Sequence, residues 1–413
     1  MEPPIKQGAT FKTILLMMDT DGKIPWTTLS TKQRKVLIDN MLCHSEACGY
    51  SVSTCVECGN QVIHYGSCNN SCCLECGMVK REKWIDRQRQ KIVNSSAFHV
   101  IFTVPSQLHD LFLANPEQMH KILFASQAEA LKKISKDPKY WGAEKIGFFS
   151  TEHTWGSTLV FHPHIHTLIY TAGLDKEGNL VFPKGCVKRK KRADGKKKGF
   201  LFPAKKVAAL FKEIFLKEVC KLFEYSGSPW LNDINLSKTI QWNVEICDEL
   251  RKPDTVINYL SRYVARLAIS NGRIVSYDGE TVTFKYKSYR DGGKIKTMSL
   301  KDTEFLRRFI QHIPLPHFCR IRHFGWLGNA GKETLKKVQE LTGTPEPAPS
   351  RTTEEILREK VGENFNTCTK CKGEMVVEHE EFKPKWTPFL VNSFLSALEK
   401  PYHSETRKES IKD

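Results

Sequence analysis

Phe161-His162-Pro163-His164-Ile165-His166-Thr167-Leu168-Ile169-Tyr170 sets imidazoles at every second position across its first half. On a strand, successive side chains point to opposite faces. His162, His164 and His166 therefore share one face, and Ile165, Thr167 and Ile169 the other. Same-face neighbours stand roughly 6.5–7 Å apart at Cα, so two of these imidazoles can converge on one ion. Three in a row span roughly 13 Å, which limits a single ion to two neighbours and asks another segment for the third ligand. Pro163 removes a ladder donor and argues for an edge strand or a bulge. A histidine pair with one further ligand leaves open positions on the ion, where phosphate oxygens can sit and a phosphodiester can be polarised. The bland alternative, a row of ordinary polar strand histidines, fits one such residue better than three at period two.

Working outward, Lys145 to His153 and Thr158 to Tyr170 read as two strands joined at Gly156-Ser157, a hairpin turn pair. Upstream, Ala97 to Pro105 (AFHVIFTVP) is rich in β-branched and aromatic residues and stops at the proline. Leu108 to Ser135 reads as helical, as does Ala204 to Tyr225, and Asn243 to Cys247 reads as a strand. Val275 to Tyr286 is a hairpin around Asp278-Gly279. This order predicts an α+β domain, an antiparallel sheet with helices packed on it, over residues 94–330. Residues 1–93 form a separate N-terminal unit. Pro345, Pro347 and Pro349 open a linker and tail over 331–413.

Pro253 to Ser270 (PDTVINYLSRYVARLAIS) reads as a helix with proline in its first turn. Tyr259 and Tyr263 are four apart and share a face, with Arg262 and Arg266 beside them. Val256, Leu260, Val264 and Leu267 form the buried stripe. A tyrosine oxygen is a usable nucleophile when a metal holds the phosphate, and the arginines suit flanking phosphates. Taken alone, the helix passes as ordinary packing; it gains a chemical role from the metal that the histidine strand supplies.

The cysteines cluster. Cys43, Cys48, Cys55, Cys58, Cys68, Cys72, Cys73 and Cys76 fall in one block with His44 and His64. Cys55-Val-Glu-Cys58 and Cys73-Leu-Glu-Cys76, fourteen residues apart, suit one tetrahedral zinc ion. Gly59 and Gly77 follow the two pairs and let the backbone turn toward the sulfurs. A second ion would draw on Cys43, His44, Cys48, His64, Cys68 and Cys72, with Cys48 and Cys68 the first candidates. Such closed sites are structural. Trp26 to Leu42 before the block reads as one helix. Val79 to Ile92 after it reads as a helix with a basic face for DNA. Far downstream, Cys368-Thr-Lys-Cys371 is half a zinc site; with no second pair near it in sequence, it is either a lone knuckle completed by His379 or His403 or nothing, and the expectation is that it binds nothing.

The chain has 413 residues, with 63 Lys and Arg against 46 Asp and Glu, a formal charge of +17. That excess favours a polyanionic partner, because neutralised phosphates release counterions. Lys188, Arg189, Lys190, Lys191 and Arg192 open a basic run, KRKKRADGKKK, that is either a solvated loop or a contact to DNA backbone. The N-terminal stretch lacks a basic region followed by a long apolar run, and nothing approaches the ~20 apolar residues of a membrane span. The expected compartment is a reducing one, the cytoplasm, where clustered cysteines mean metal.

These residues resemble a known family, the HUH transposases of rolling-circle insertion sequences, two-tyrosine type. His164-Ile165-His166 followed roughly ninety residues later by Tyr-Leu-Ser-Arg-Tyr carries the likeness. In the same order, Ser67 to Cys76 (SCNNSCCLEC) resembles that family's zinc-binding domain and FHVIFTVP its first core strand. HTWGSTLVFHPHIH resembles its metal hairpin and YLSRYVARLAISNGRI its tyrosine helix with the strand after it. The likeness spans about Leu37 to Gly328. It implies an HUH nuclease-like sheet beside a small zinc-binding domain, and cleavage of single-stranded DNA at transposon ends and target. The products would be a 5′-phosphotyrosine and a free 3′-OH. Carried over by motif, His164 and His166 are the metal pair and Tyr259 and Tyr263 the nucleophiles, with Mg²⁺ or Mn²⁺ bound, in a protein of the bacterial nucleoid. Cys72 stands where the family more often has His, and Leu74 where it often has Pro. His153 and His162 are candidates for the third metal ligand. A two-residue turn at Gly156-Ser157 would put His153 on the face of His164 but roughly two residue pairs away, with Glu152 facing away.

Three other readings compete. A plasmid rolling-circle replication initiator or relaxase would use the same chemistry, and the zinc block tilts against it. A histidine-triad nucleotide hydrolase also alternates His on a strand but needs no zinc block, tyrosine pair or high positive charge. A non-catalytic zinc-ribbon DNA-binding protein would need neither His164 nor Tyr259.

Overall fold

The strands at the centre of the chain are buried along nearly their whole length. The computed structural model describes residues 8–187, 190–191, 197–251, 255–256, 267–288 and 291–382. Strands β1 (Gly49–Cys55) and β2 (Gln61–Tyr65) form a hairpin in the cysteine-rich region. The middle of the chain contributes β3 (Ala97–Thr103), β4 (Gly147–Trp155) and β5 (Phe161–Tyr170). Two short pairs follow, β6 (Gly173–Leu174) with β7 (Leu180–Val181) and β8 (Lys190–Lys191) with β9 (Lys197–Lys198). Then come β10 (Val244–Leu250), β11 (Ile274–Tyr277), β12 (Thr281–Ser288), β13 (Lys294–Lys301), β14 (Ile321–Gly325) and β15 (Met375–Phe382).

The main sheet has five antiparallel strands in the order β10-β3-β5-β4-β14, so the histidine strand lies at its centre. One face carries Phe98, Val100, Phe102, Phe148, Ile165, Ile169 and Val244 into the largest core. The helices Pro116–Lys136 and Ala204–Phe223 cover that face with Leu123, Leu131, Phe211 and Phe215. On the opposite face, Ala97, Phe149, Leu168 and Tyr170 pack with Val256 and Trp326 at one end. The other end of that face carries the histidines. Pro163 sits at an irregularity rather than at an edge: register shifts between His153/Trp155, leaving Thr154 alone opposite His162 and Pro163.

A second core joins distant pieces of chain. The helix Phe11–Thr20 packs Phe11 against Phe305 and Phe309 of the helix Asp302–Ile310, with ring centroids 6.2 and 4.3 Å apart. Val282 and Phe284 of the β11-β12-β13 sheet complete this core, together with Val36 and Leu37 of the helix Thr31–Leu42.

Several elements start or stop where local chemistry demands. The helix expected over Trp26 to Leu42 begins at Thr31, because Ser30 and Gln33 form a capping box. The single helix expected from Leu108 breaks at Asn115 into His109–Ala114 and Pro116–Lys136. Pro116 cannot continue the first helix but suits the opening of the second. The basic run at Lys190 and Lys191 folds back on Lys197 and Lys198 as a short hairpin rather than an open loop.

Candidate metal centre

The turn between β4 and β5 decides where His153 goes. It runs over residues 156–160, with Gly156 N bonded to Val160 O, rather than the two residues expected. Leu159 takes a left-handed φ of 62° there and buries its side chain in the second core. This longer turn sets His153 directly opposite His164, so the expected displacement of two residue pairs does not occur. Ligand-capable atoms of His153, His164 and His166 lie within 4.8 Å of one another. His164 Nε2 and His166 Nε2 are 3.1 Å apart. With metal–nitrogen arms of about 2.1 Å, neighbouring octahedral positions are about 3.0 Å apart, so the spacing fits one shared ion. His162 falls outside this set; its ring stands 5.2 Å from that of His164 and 5.8 Å from that of His109.

The surroundings of these rings prepare them as ligands. His164 Nδ1 donates to His162 O at 2.7 Å, which leaves the lone pair on Nε2. Burial pushes the His164 imidazole down to about 4, so the ring is neutral near pH 7. His166 Nδ1 lies 2.8 Å from His99 Nε2 on β3, and His99 Nδ1 lies 3.3 Å from Cys247 Sγ on β10. Burial, aided by His164, pushes His99 down to about 3. His153 stacks on Trp155 at 4.5 Å. Glu152 points to the other face, where it accepts from His120 Nδ1 at 2.6 Å. His99 and Cys247 were missed in the sequence. The available signal was a histidine inside an otherwise apolar strand, with the cluster's own side-chain phase.

The histidines line a broad cleft. Lys80 and Arg81 of the helix Met78–Arg89 line it, as do Arg273 ahead of β11, Lys285 and Lys287 on β12 and Arg320 ahead of β14. Leu267, Ala268, Ile269 and Ser270, which directly follow the tyrosine stretch, line it too. Thr255 and Val256 ahead of that stretch are helical, with Val256 fully buried. Tyr259, Tyr263, Arg262 and Arg266 lie outside the described residues, as do Lys188, Arg189 and Arg192.

The cysteines sort differently from the expected pairing. One set joins Cys43, Cys68, Cys73 and Cys76, and a second joins Cys55, Cys58, Cys368 and Cys371. The two CxxC pairs of the N-terminal block therefore do not share an ion. The reason is the β1–β2 hairpin. Cys55 and Cys58 sit at its turn, whereas Cys43 and Cys68 flank its open end, where His44 N bonds Gly66 O and Gly66 N bonds Gly49 O. A seven-residue strand holds those ends about 20 Å apart. Cys48 belongs to neither set; its thiol lies 3.2 Å from Leu42 O. Cys72 is buried in the second core with Leu37 and Met41. Cys68 Sγ and Cys76 Sγ stand 3.6 Å apart, and the N–H groups of Asn70 and Glu75 donate to Cys68 and Cys73. Cys368 and Cys371, expected to bind nothing, have partners after all.

A cysteine-rich module and a histidine-bearing sheet that share one cleft each match a known protein family. Residues 17–104 match the family model described as "Transposase zinc-binding domain", and residues 147–334 the one described as "Putative transposase". Together they mark a transposase that carries its own zinc-binding domain. The chain is 33% identical over 370 residues to "Putative transposase y4qJ" of Sinorhizobium fredii, covering 85% of this chain and 90% of that one. It is 27% identical over 327 residues to "Transposase for insertion sequence element IS801" of Pseudomonas savastanoi pv. phaseolicola, covering 72% and 75%. The chain belongs to the IS91 family of insertion-sequence transposases. No solved structure matches it. Among the described residues, no helix is long and apolar enough to cross a membrane.

Proposed function

We propose that this transposase cleaves and rejoins single-stranded DNA through a 5′-phosphotyrosine intermediate, in rolling-circle transposition of its insertion sequence. The observation that carries this reading is the convergence of His153, His164 and His166 in a cleft lined by cations. Three imidazoles with open positions beside them suit a divalent ion. Nitrogen donors favour Mn²⁺ over Mg²⁺, which prefers oxygen ligands. When bound, the ion polarises the scissile phosphodiester.

The chain's own residues do the rest. His162 O fixes the tautomer of His164, and His99 accepts from His166 Nδ1, which aims both Nε2 atoms at one point. Lys80, Arg81, Lys285 and Arg320 hold phosphates of a strand in the cleft. Tyr259 or Tyr263 attacks phosphorus with its phenol oxygen. The bond from phosphorus to the 3′-oxygen breaks, the 5′-phosphate stays on the tyrosine, and the 3′-oxygen leaves with a proton as 3′-OH. Attack by a 3′-OH on the phosphotyrosine reverses the step and rejoins the strand. Arg262 and Arg266 bind flanking phosphates. Lys188, Arg189, Lys190, Lys191 and Arg192 add backbone contacts. A zinc ion on Cys43, Cys68, Cys73 and Cys76 stiffens the start of the basic helix Met78–Arg89.

Single-stranded oligonucleotides from the element ends, incubated with the full chain and Mn²⁺ or Mg²⁺, test this reading. An adduct that survives denaturation is expected for the wild type and lost in the combined Tyr259→Phe and Tyr263→Phe variant. An adduct persisting in that variant would remove both tyrosines from the mechanism. Equal adduct formation after exhaustive chelation would remove the metal.

A further inference from the structure

The second cysteine set lies outside the cleft and draws on two ends of the chain. Cys55 and Cys58 come from the β1–β2 turn, and Cys368 and Cys371 from the turn just before β15. β15 runs antiparallel to β1 with Cys55 opposite Met375, so the two turns meet at one end of the β15-β1-β2 sheet. The sulfurs stand close: Cys55 to Cys371 at 3.4 Å, Cys58 to Cys368 at 3.7 Å and Cys58 to Cys371 at 3.4 Å. A disulfide needs about 2.05 Å, so these are not bonded pairs. A tetrahedral ion with metal–sulfur arms of about 2.3 Å puts its ligands about 3.8 Å apart, close to the spacing seen.

The turn geometry is that of a metal knuckle on the C-terminal side too. The N–H groups of Lys370 and Gly373 donate to Cys368 and Cys371, each at 3.4 Å, as suits thiolates. Asn60 Nδ2 lies 3.7 Å from Cys368 Sγ, from the other half of the site. Lys372 takes a left-handed φ of 66°, and Cys368 N bonds Gly373 O to close the turn. Val56 N bonds Glu374 O and locks the two turns face to face. Cys55 and Cys368 are buried against Met375. The family match to a zinc-binding domain ends at residue 104, short of half of these ligands.

We propose that Cys55, Cys58, Cys368 and Cys371 bind a second, structural zinc ion that fastens the C-terminal segment to the N-terminal module. Four thiolates close the coordination sphere, so the ion has no position for substrate and takes no part in strand cleavage. The site is independent of the histidine centre and of the phosphotyrosine reading.

Cobalt(II) replacing zinc in the full-length protein tests the proposal, since sulfur-only tetrahedral cobalt has a thiolate charge-transfer band and intense visible bands that a histidine site lacks. Two sulfur-only equivalents per chain are expected in the wild type and one in the Cys368→Ser, Cys371→Ser variant. One equivalent in the wild type, or two in that variant, would overturn the proposal. Should that variant not fold, Cys371→His keeps four ligands and moves the visible bands of one equivalent toward those of a mixed sulfur–nitrogen site. Two unshifted sulfur-only equivalents there would likewise overturn it.

Discussion

His99 meets the candidate metal centre through His166, which makes it a positioning residue. Outer partners of this kind typically contribute 10–100-fold to metal affinity (an order-of-magnitude range). His99→Phe keeps the ring volume and removes the acceptor. Its adduct formation is expected to need roughly 10–100-fold more Mn²⁺ and to recover at saturating metal. A fall that added Mn²⁺ does not restore would mean a structural role instead. Gly147 answers a different demand at the same scale. A Cβ there would meet the Trp326 ring at 2.2 Å, and that indole is buried with Phe149, Leu168 and Tyr170. Gly147→Ala is expected to lower stability by about 1–3 kcal/mol, read from the denaturant midpoint. A midpoint within error of the wild type would show that the indole moves aside freely. The histidine alternation was legible because strand periodicity is a local property of sequence. His153 was among the candidates for the third ligand, but its register opposite His164 was not legible, because it hung on Leu159, a buried leucine in a left-handed conformation that carries no turn signal.

At the scale of elements, β5 shows how one irregularity serves a site. The bulge opposite Thr154 shifts register at the end of the strand. His162 leaves the cluster there, while His153 and His164 stay in step. The capping box at Ser30 shows the same precision at a helix start. Ser30→Ala is expected to cost about 1 kcal/mol, and a thermal midpoint unchanged from the wild type would show that Gln33 caps alone. The α+β class and the antiparallel order could be read because strands, turns and helices each leave a local pattern. The grouping of cysteines could not. Spacing names the pairs that form a knuckle, but which knuckles meet depends on the length of β1 and on a strand more than three hundred residues away.

For the whole molecule, Arg351 ties the stretch after the proline-rich linker to the basic helix. Its guanidinium bonds Asp86 Oδ1 at 2.8 Å and Glu82 Oε2 at 3.0 Å, and it also meets Glu359. Both Asp86 and Glu82 are buried, and Arg89 and Lys360 also face them. Arg351→Met removes the guanidinium that joins the two carboxylates, leaving Arg89 on Asp86 and Lys360 on Glu82, and is expected to destabilise by about 1–3 kcal/mol. Burial alone would raise the Asp86 carboxyl, but Arg351 more than offsets this and holds it below its ordinary value. A depressed carboxyl contributes stability above its unfolded pKa of about 3.9, and loses it as pH falls through the lower folded value. Wild-type stability should therefore fall in acid below about pH 4, while Arg351→Met gives a flatter profile there. Parallel profiles would show that the pair is not the source. The pairing of β15 with β1 also sets an order of events in protein synthesis. The ribosome delivers Cys55 and Cys58 early, and their partner strand only after the five-stranded histidine sheet has been made. Until then β1 keeps one edge open to chance pairing with other chains. A product truncated before Cys368 would carry every histidine of the candidate centre and still lack the strand that completes the β15-β1-β2 sheet. Only a chain extended through β15 covers that edge.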